Sequence, residues 1–255
     1  MSGRSSAAEE TPVRFRAFPQ FNQPGLAEVA GSKSRLSAST LRHFASKRMA
    51  DRLARALGEV GGFPIKELVE SFEFFERVRS SLRVPVVADL MCGHGLVGAL
   101  FAVFEPKVEQ VLLVDHRRPS NHDALLEGLG RVASWAPSRL RYLEGTLEVC
   151  AAEPIGAVVA VHACGQRTDA CLDLALERGA QVAVMPCCYG PPREASPALM
   201  AGLGPELATD VARTYRLEKA GYRVRWRAIP PEITPMGRIL LAQNPSPLQN
   251  GSSSV

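Results

Sequence analysis

Apolar residues in the first third of the chain recur at helical spacing. One stripe repeats every four residues and comprises Leu41, Ala45, Met49, Leu53 and Leu57. It predicts a helix over 39–58 that ends at Gly61 and Gly62. A second stripe, which predicts another helix, follows Pro64 and comprises Ile65, Leu68, Phe72, Phe75 and Val78. Because each stripe needs a covering surface, we expect both helices to dock on the rest of the chain.

From residue 84 onward, continuous apolar runs alternate with helical patterns. The runs read PVVADLM, QVLLVD, RLRYLEG, AVVAVHA and QVAVMPC. Such runs are typical of strands buried on both faces of a parallel sheet. Helices are predicted at about 96–104, 120–134, 168–178 and 206–220, whereas the link 147–155 is too short for one. The last runs, YRVRWRAIP and RILLAQN, predict a C-terminal antiparallel hairpin. The predicted fold class is therefore α/β.

Composition divides the chain into four parts. Residues 1–33 are rich in Ser, Ala, Pro and Gly, and we expect a mobile tail with one docked patch around Phe15, Phe18 and Phe21. A helical extension over 34–82 and an α/β domain over 83–244 follow. Residues 245–255 are predicted to be a disordered tail.

The bulk composition is that of a globular protein without a membrane segment. Hydrophobic residues make up 46% of the chain and charged residues 22%, with a net charge of +4. This charge permits a nucleic-acid partner without requiring one. The sequence contains neither a bilayer-length apolar run nor a secretory signal pattern. We expect a cytoplasmic protein whose six cysteines stay reduced.

A glycine-rich loop follows the first predicted strand. Gly93, Gly95 and Gly98 form a G-x-G-x-x-G pattern, and Asp115 closes the next strand, where a carboxylate can bind ribose hydroxyls. These features fit a nicotinamide dinucleotide and S-adenosylmethionine equally well. Asp89 favours the second, because a buried carboxylate would attract the ammonium of a methionine group and repel a pyrophosphate. A helix cap or a buried pair with Lys or Arg is the alternative role for Asp89.

This pattern resembles the class I S-adenosylmethionine-dependent methyltransferases over about 84–244. Asp89, Gly93 and Gly95 match their first motif and Asp115 their second. The resemblance implies a Rossmann-like, seven-stranded sheet and S-adenosylmethionine as cofactor. The cofactor-binding residues that we predict are Asp89, Met91, Gly93, His94, Gly95, Asp115, His116, Gly145, Thr146 and His162. An NAD(P)-dependent oxidoreductase is the alternative enzyme, since Arg117 and Arg118 could take the extra phosphate of NADP.

Two further strings sharpen the resemblance. HACGQRTD at 162–169 and PCCYG at 186–190 are similar to an H-x-C-G…T-D plus P-C-C methyltransferase-domain family. That family is related to a eukaryotic tRNA ribose 2'-O-methyltransferase and to several methyltransferase-like proteins of uncertain substrate. We expect the acceptor to be RNA, either tRNA or rRNA. We expect Thr168 or Asp169 to cap the helix that follows them.

The chemistry of these strings leaves several roles open. His162 is either a general base or a core histidine bonded to the backbone. The cysteines could pack as small apolar groups, bind zinc with His94 or His162, or attack a pyrimidine base covalently. The candidate catalytic residues are His162, Cys164, Cys187 and Cys188, and we assign no metal ligand.

Basic residues suggest how an RNA substrate would be held. They lie within 33–55 and at Arg223, Arg225 and Arg227 of the terminal hairpin. Either group could grip phosphates, or it could simply be a solvated helix face or a protected sheet edge. A non-enzymatic, metal-binding regulator on the same fold is a further alternative.

Overall fold

A computed structural model describes residues 12–190, 193 and 195–245. Residues 1–11 of the tail predicted over 1–33, and residues 246–255 of the tail predicted over 245–255, lie outside the described residues. The seven strands are β1 (Val86–Leu90), β2 (Gln110–Asp115), β3 (Leu140–Glu144), β4 (Ala157–Val161), β5 (Gln181–Met185), β6 (Arg223–Ala228) and β7 (Arg238–Gln243). They form one sheet in the order β3-β2-β1-β4-β5-β7-β6. The first five are parallel and β7 runs antiparallel to β5 and β6, so the predicted fold class is confirmed.

Helices cover both faces of this sheet. They are α1 (Ala27–Ala30), α2 (Ala38–Leu41), α3 (Met49–Val60), α4 (Ile65–Val78), α5 (Leu96–Phe104), α6 (Asn121–Val132), α7 (Gln166–Arg178), α8 (Pro197–Leu203) and α9 (Pro205–Lys219). Alternate strand residues face opposite layers: Val87 belongs to the core beneath α3–α6, and its neighbour Ala88 to the core beneath α7 and α9. The inner strands β1, β2, β4, β5 and β7 are therefore buried on both sides, as their apolar runs predicted. The run RLRYLEG forms the edge strand β3, which is partly exposed, so the prediction of burial on both faces is wrong for that strand.

The helix predicted over 39–58 is interrupted. A 3-10 turn at Arg42–Phe44 separates α2 from α3, and Phe44 is fully buried there. The Arg55 guanidinium donates hydrogen bonds to the carbonyl oxygens of Phe44 and Ser46, which satisfies groups that a continuous helix would have bonded internally. The break directs the Phe44 side chain toward Phe18 and Phe21, with which it forms an aromatic cluster. Tertiary packing therefore overrides the helical spacing of the sequence. Helix α8, which the sequence did not predict, begins at the Ser196 cap.

The segment 12–33 differs from the mobile tail that we expected. Phe15, Phe18 and Phe21 are all buried, and the Phe18 ring centroid lies 4.9 Å from those of Phe44 and Phe72. Burial of a phenylalanine stabilises a fold by about 1.5–3 kcal/mol, which offsets the entropy lost when the segment is ordered. The expected patch therefore anchors the whole described part of the segment. Among the described residues, no helix is both long and apolar enough to cross a bilayer.

Candidate functional site

Two cavities flank the end of β1 and meet at Met91. The first encloses about 440 Å³ between α4, the glycine loop and the end of β4. Its lining includes Lys33, Lys66, Glu67, Glu70, Asp89, Met91, Gly93, His94 and His162. The second encloses about 430 Å³ and is lined by Met91, Asp115, His116, Gly145, Thr146 and Glu148, among others. Both cavities lie at the carboxyl ends of parallel strands, where ligands bind in open α/β sheets.

The loop between the cavities is held rigidly by long-range hydrogen bonds. The Gly93 N–H donates to Asp115 Oδ2 at 2.7 Å, and the Tyr142 hydroxyl donates to the Gly93 carbonyl at 2.7 Å. The His94 carbonyl accepts from His122 Nδ1 at 2.8 Å. Gly93 and Gly95 have φ values of +55° and +88°, a region that favours glycine. The loop is thus shaped before any ligand arrives.

The His94 side chain is also fixed. The Leu96 N–H donates to Nδ1 at 3.2 Å, so Nε2 carries the proton and donates to Glu67 Oε2 at 3.2 Å. This hydrogen bond lowers the pKa of Glu67. Helix α4 therefore clamps the loop directly, and the predicted cofactor residue His94 lies in the wall of the first cavity.

Asp89 lies at the base of the first cavity and is 2% exposed. Its Oδ2 accepts from the Gly98 N–H at 2.8 Å, in the first turn of α5. Burial, with a smaller contribution from the nearby Asp115 carboxylate, raises the pKa of Asp89 to about 7, although the hydrogen bond from Gly98 acts in the opposite direction. The structure thus contains the helix-cap contact that we held as an alternative, and it leaves the same carboxyl group in the cavity wall.

Asp115 organises the second cavity. Its Oδ1 accepts from the His116 N–H at 2.7 Å, and its carbonyl accepts from the Gly145 N–H at 2.9 Å. The Thr146 hydroxyl donates to the Glu148 carboxylate, which lowers the pKa of Glu148. Glu148 is a residue that sequence reasoning missed. It supplies an acid two positions after Thr146, in the lining of the second cavity.

His162 is bonded to a glutamate that the sequence did not connect with it. Its Nε2 lies 3.0 Å from Glu70 Oε2, and its φ of +64° places the residue in a strained backbone region. Glu70 is 2% exposed, and its Oε1 has no hydrogen-bond partner among the described residues. A buried carboxylate oxygen without a donor is costly, which marks a place for a donor from a bound molecule or a water.

Only the spacing could have suggested Glu70. Glutamates recur every three residues at Glu67, Glu70 and Glu73, beside the apolar stripe of α4. Such a row on a helix face is usually solvated. Here the first two members face the first cavity, while Glu73 accepts hydrogen bonds from the Arg16 and Ala17 N–H groups. The direction in which each side chain points depends on how α4 docks.

Three of the predicted catalytic residues form a separate group. The Sγ atoms of Cys164, Cys187 and Cys188 all lie within 4.8 Å of one another, and those of Cys164 and Cys187 are 2.7 Å apart. None of the three lines either cavity beside Met91. Burial raises the pKa of the Cys164 and Cys187 thiols, and the Cys164 contact raises that of Cys188. A nucleophilic cysteine needs the opposite shift.

Cys92, Thr168 and Asp169, which also follow strands β1 and β4, have different neighbours. Cys92 is not in the cysteine group, and burial raises the pKa of its thiol. Thr168 and Asp169 do not cap α7, because Gly165 occupies its N-cap position. The Thr168 hydroxyl instead donates to the Ala163 carbonyl, and Asp169 forms a buried two-bond ion pair with Arg213 at 2.9 and 3.0 Å. The expected capping role is therefore wrong; both residues tie the loop before α7 to its surroundings.

Comparison with known families places this site in context. Residues 64–191, half of the chain, match the model of a methyltransferase domain family. The protein belongs to this family. The matched region begins at Pro64 and therefore takes in α4 and the Glu70 side of the first cavity as well as the glycine loop, the HACGQRTD string and the PCCYG string.

Individual relatives are more distant. Over 105 residues the chain is 31% identical to a glutathione S-transferase C-terminal domain-containing protein from Xenopus laevis. That alignment covers 41% of the chain, which spans only about a sixth of this relative's length (16%). An rRNA methylase from Streptococcus thermophilus is 15% identical with a TM-score of 0.42, covering 68% of this chain and 92% of that one. A precorrin-6y C5,15-methyltransferase from Geobacter metallireducens is 14% identical with a TM-score of 0.45, covering 69% and 87%.

Proposed function

We propose that the protein transfers a methyl group from S-adenosylmethionine, held across the two cavities that meet at Met91. The observation that carries this proposal is the pair of carboxylates, Asp89 in one cavity and Asp115 in the other, on either side of a preformed glycine loop. Membership in a methyltransferase-domain family favours this function over the NAD(P)-dependent alternative.

The residues present fit this cofactor. Among the described residues, the buried Asp89 carboxylate accepts a hydrogen bond from the Gly98 backbone N–H and has no cationic partner, so an ammonium group would offset the cost of its charge. Asp115, Gly145 and Thr146 would hold the adenosine, with Asp115 still able to accept from ribose hydroxyls through its remaining lone pairs. When bound, S-adenosylmethionine supplies a methyl group on a positively charged, already electrophilic sulfur.

The protein's own contribution is to place the acceptor and to receive its proton. Glu70 lies in the wall of the first cavity. Its Oε1 accepts no hydrogen bond from the part of the chain that the structure describes, and His162 Nε2 lies 3.0 Å from its Oε2. An acceptor with an O–H or N–H group would direct that hydrogen toward Glu70, which then takes the proton as the methyl group arrives. His162, for which the sequence left open a general base and a core histidine, is in this proposal the partner that orients Glu70.

The acceptor that we propose is RNA. Lys33 and Lys66 line the first cavity and would meet a phosphate backbone at its mouth. Arg223, Arg225 and Arg227 are exposed on one face of β6. Part of the basic region 33–55 has another task, since Arg48 pairs with Asp51. The proposed RNA contact therefore depends more on Lys33 and Lys66, which line the cavity, than on the rest of the basic region 33–55.

Calorimetry with purified protein tests the cofactor. We expect S-adenosylmethionine to bind and NADP not to bind, and Asp115→Asn to weaken S-adenosylmethionine at least tenfold. Asp123→Asn is the matched control, because its carboxylate is 76% exposed and lies outside both cavity linings. Binding of NADP without S-adenosylmethionine would overturn the proposal.

Methyl-labelled cofactor and fractionated cell extract test the acceptor. We expect label in a ribonuclease-sensitive fraction, reduced by the double substitution Lys33→Ala and Lys66→Ala. Lys107→Ala, at an exposed position outside both cavity linings, should leave labelling unchanged. Label that survives ribonuclease and appears in protein or small molecules would refute the RNA acceptor while leaving the methyltransferase intact.

A further inference from the structure

The three clustered cysteines form a group that methyl transfer does not use. Cys164 follows β4, and Cys187 and Cys188 follow the neighbouring strand β5, so two separate loops bring the thiols together. All three Sγ atoms lie within 4.8 Å of one another. Thiolates that share one zinc ion, each about 2.3 Å from it, stand roughly 3.8 Å apart. The group therefore needs only small side-chain movements to surround an ion.

From this convergence we propose that Cys164, Cys187 and Cys188 bind a soft metal ion, with zinc as the ion expected. Thiolates select such ions over magnesium or calcium. Cys188 is exposed, which gives the ion a path from solvent and leaves a fourth position for water or another ligand. Neither His94 nor His162 belongs to the group, so the ligand set differs from the cysteine–histidine set considered from the sequence.

The two cysteine-bearing loops are fixed by contacts that do not involve the thiols. The Gly165 N–H donates to the Cys188 carbonyl at 3.3 Å, and a Cβ on Gly190 would lie 3.5 Å from Gly165 Cα, so the backbones are close. Arg213 donates to the Gly165 carbonyl while it pairs with Asp169. This support holds the loops in register before an ion binds, as metal sites require.

A second set of contacts fixes the loop after β5. The Tyr189 hydroxyl donates to Asp210 Oδ2 at 2.6 Å, and Arg238 donates to the same oxygen at 2.7 Å. Tyr189 directly follows Cys188, so α9 and β7 determine where the cysteine pair points. Charge also suits the proposal, because Arg167 next to the group would offset the excess negative charge of three thiolates on a divalent ion.

Two other roles for the group agree less well with the structure. Packing as small apolar side chains gives little benefit to an exposed residue such as Cys188. Covalent attack on a substrate requires a place in a substrate cavity, and the linings of the two cavities at Met91 contain none of the three thiols. A disulfide between Cys164 and Cys187 is the remaining rival, and the experiment separates it from a metal site.

The test measures metal binding on the full chain under reducing, metal-free conditions. Zn²⁺ and Co²⁺ are titrated separately, with calorimetry for zinc and near-ultraviolet thiolate-to-cobalt absorption for cobalt. We expect one ion per chain and loss of the cobalt band in Cys188→Ser, a variant at an exposed position that should fold normally. Cys164→Ser should behave alike. Cys150→Ala is the matched control, since Cys150 lies outside the group, and it should bind as wild type does.

Three outcomes would overturn the proposal: no binding of either ion, unchanged binding by Cys188→Ser and Cys164→Ser, or a Cys164–Cys187 disulfide found by mass spectrometry in protein that binds no ion. S-adenosylmethionine binding is measured on the same samples. Because the thiols lie outside the cofactor cavities, failure of the metal site would leave cofactor binding unaffected, and the two proposals can fail separately.

Discussion

Asp89 shows how one buried carboxyl group links stability to binding. Its pKa rises from 3.8 to about 7 because the folded protein removes it from water. The folded state therefore holds the proton more tightly than the unfolded chain, so the free energy of unfolding falls as the pH rises from about 4 to about 7. An ionised Asp89 costs up to about 4 kcal/mol by this measure.

Asp89→Asn should remove that cost. We expect the variant to gain a few kcal/mol of stability over wild type at pH 8, up to about 4 kcal/mol, and little at pH 4, while its affinity for S-adenosylmethionine falls. Urea unfolding at both pH values measures the difference, with Asp123→Asn as control. An equal gain at both pH values would mean that Asp89 is not the titrating group.

Gly98, whose N–H donates to Asp89, lies in close contact with the sheet. An added Cβ would lie 2.5 Å from Leu113 Cδ2 and 3.1 Å from Asp89 Cβ, so α5 would have to move away from the sheet. We expect Gly98→Ala to destabilise the protein by about 1–3 kcal/mol, measured by urea unfolding. Gly130→Ala, with open space at an exposed position of α6, should be neutral or stabilising by about 0.5–1 kcal/mol. Equal effects would show that the helix–sheet contact is looser than described.

Helix α4 joins the N-terminal segment to the site through acidic side chains on two of its faces. Glu73 is fully buried, pairs with Arg77, and accepts the Arg16 and Ala17 N–H groups. We expect Glu73→Gln to cost about 3 kcal/mol in unfolding experiments, because Arg77 would keep a buried, uncompensated charge. Glu76→Gln removes a half-exposed pair with Arg79 and should cost less than about 1 kcal/mol. A small effect at both positions would refute the anchoring role of Glu73.

The site-facing side of α4 makes a separate prediction. Glu70→Gln should lower the rate of methyl transfer to the labelled fraction about 100-fold, because the proton acceptor is lost. Its affinity for S-adenosylmethionine should stay within about twofold, since Asp89 and Asp115 are unchanged. Glu76→Gln again serves as control. If Glu70→Gln instead lost cofactor binding and kept its turnover per bound enzyme, Glu70 would be a cofactor-binding residue and not the proton acceptor.

At the scale of elements, the spacing of apolar residues predicted most strands and helices correctly, but it did not predict the contacts between them. The five continuous apolar runs identified the parallel strands, and the last two runs identified the terminal hairpin. The helix predicted over 39–58 is divided at Phe44, because packing of this ring against Phe18 and Phe21 stabilises the fold more than an unbroken helix would. The spacing of the glutamates in α4 is typical of a solvated helix face. Only the docking of α4 brings Glu70 to His162, which follows β4, and Glu73 to the N-terminal segment.

For the molecule as a whole, the segment 12–33 is part of the fold. Phe18 is fully buried against rings from two other segments. We therefore expect Phe18→Ala to lower the free energy of unfolding by about 3–5 kcal/mol. Val13→Ala, at a residue 38% exposed, should change it by less than about 0.5 kcal/mol. If the Phe18→Ala protein were as stable as wild type, the segment 12–33 would not contribute to the stability of the fold.

The sequence by itself determined the α/β class, the glycine loop and the two carboxylates, because these depend on local periodicity and on residues close together in the chain. The tertiary structure decided what those residues meet. Glu70 and His162 are 92 positions apart, and Cys164 and Cys187 are 23 apart, yet each pair is in contact. Such pairings depend on strand order and helix docking, which arise from packing across the whole core and leave no periodic signal in the chain.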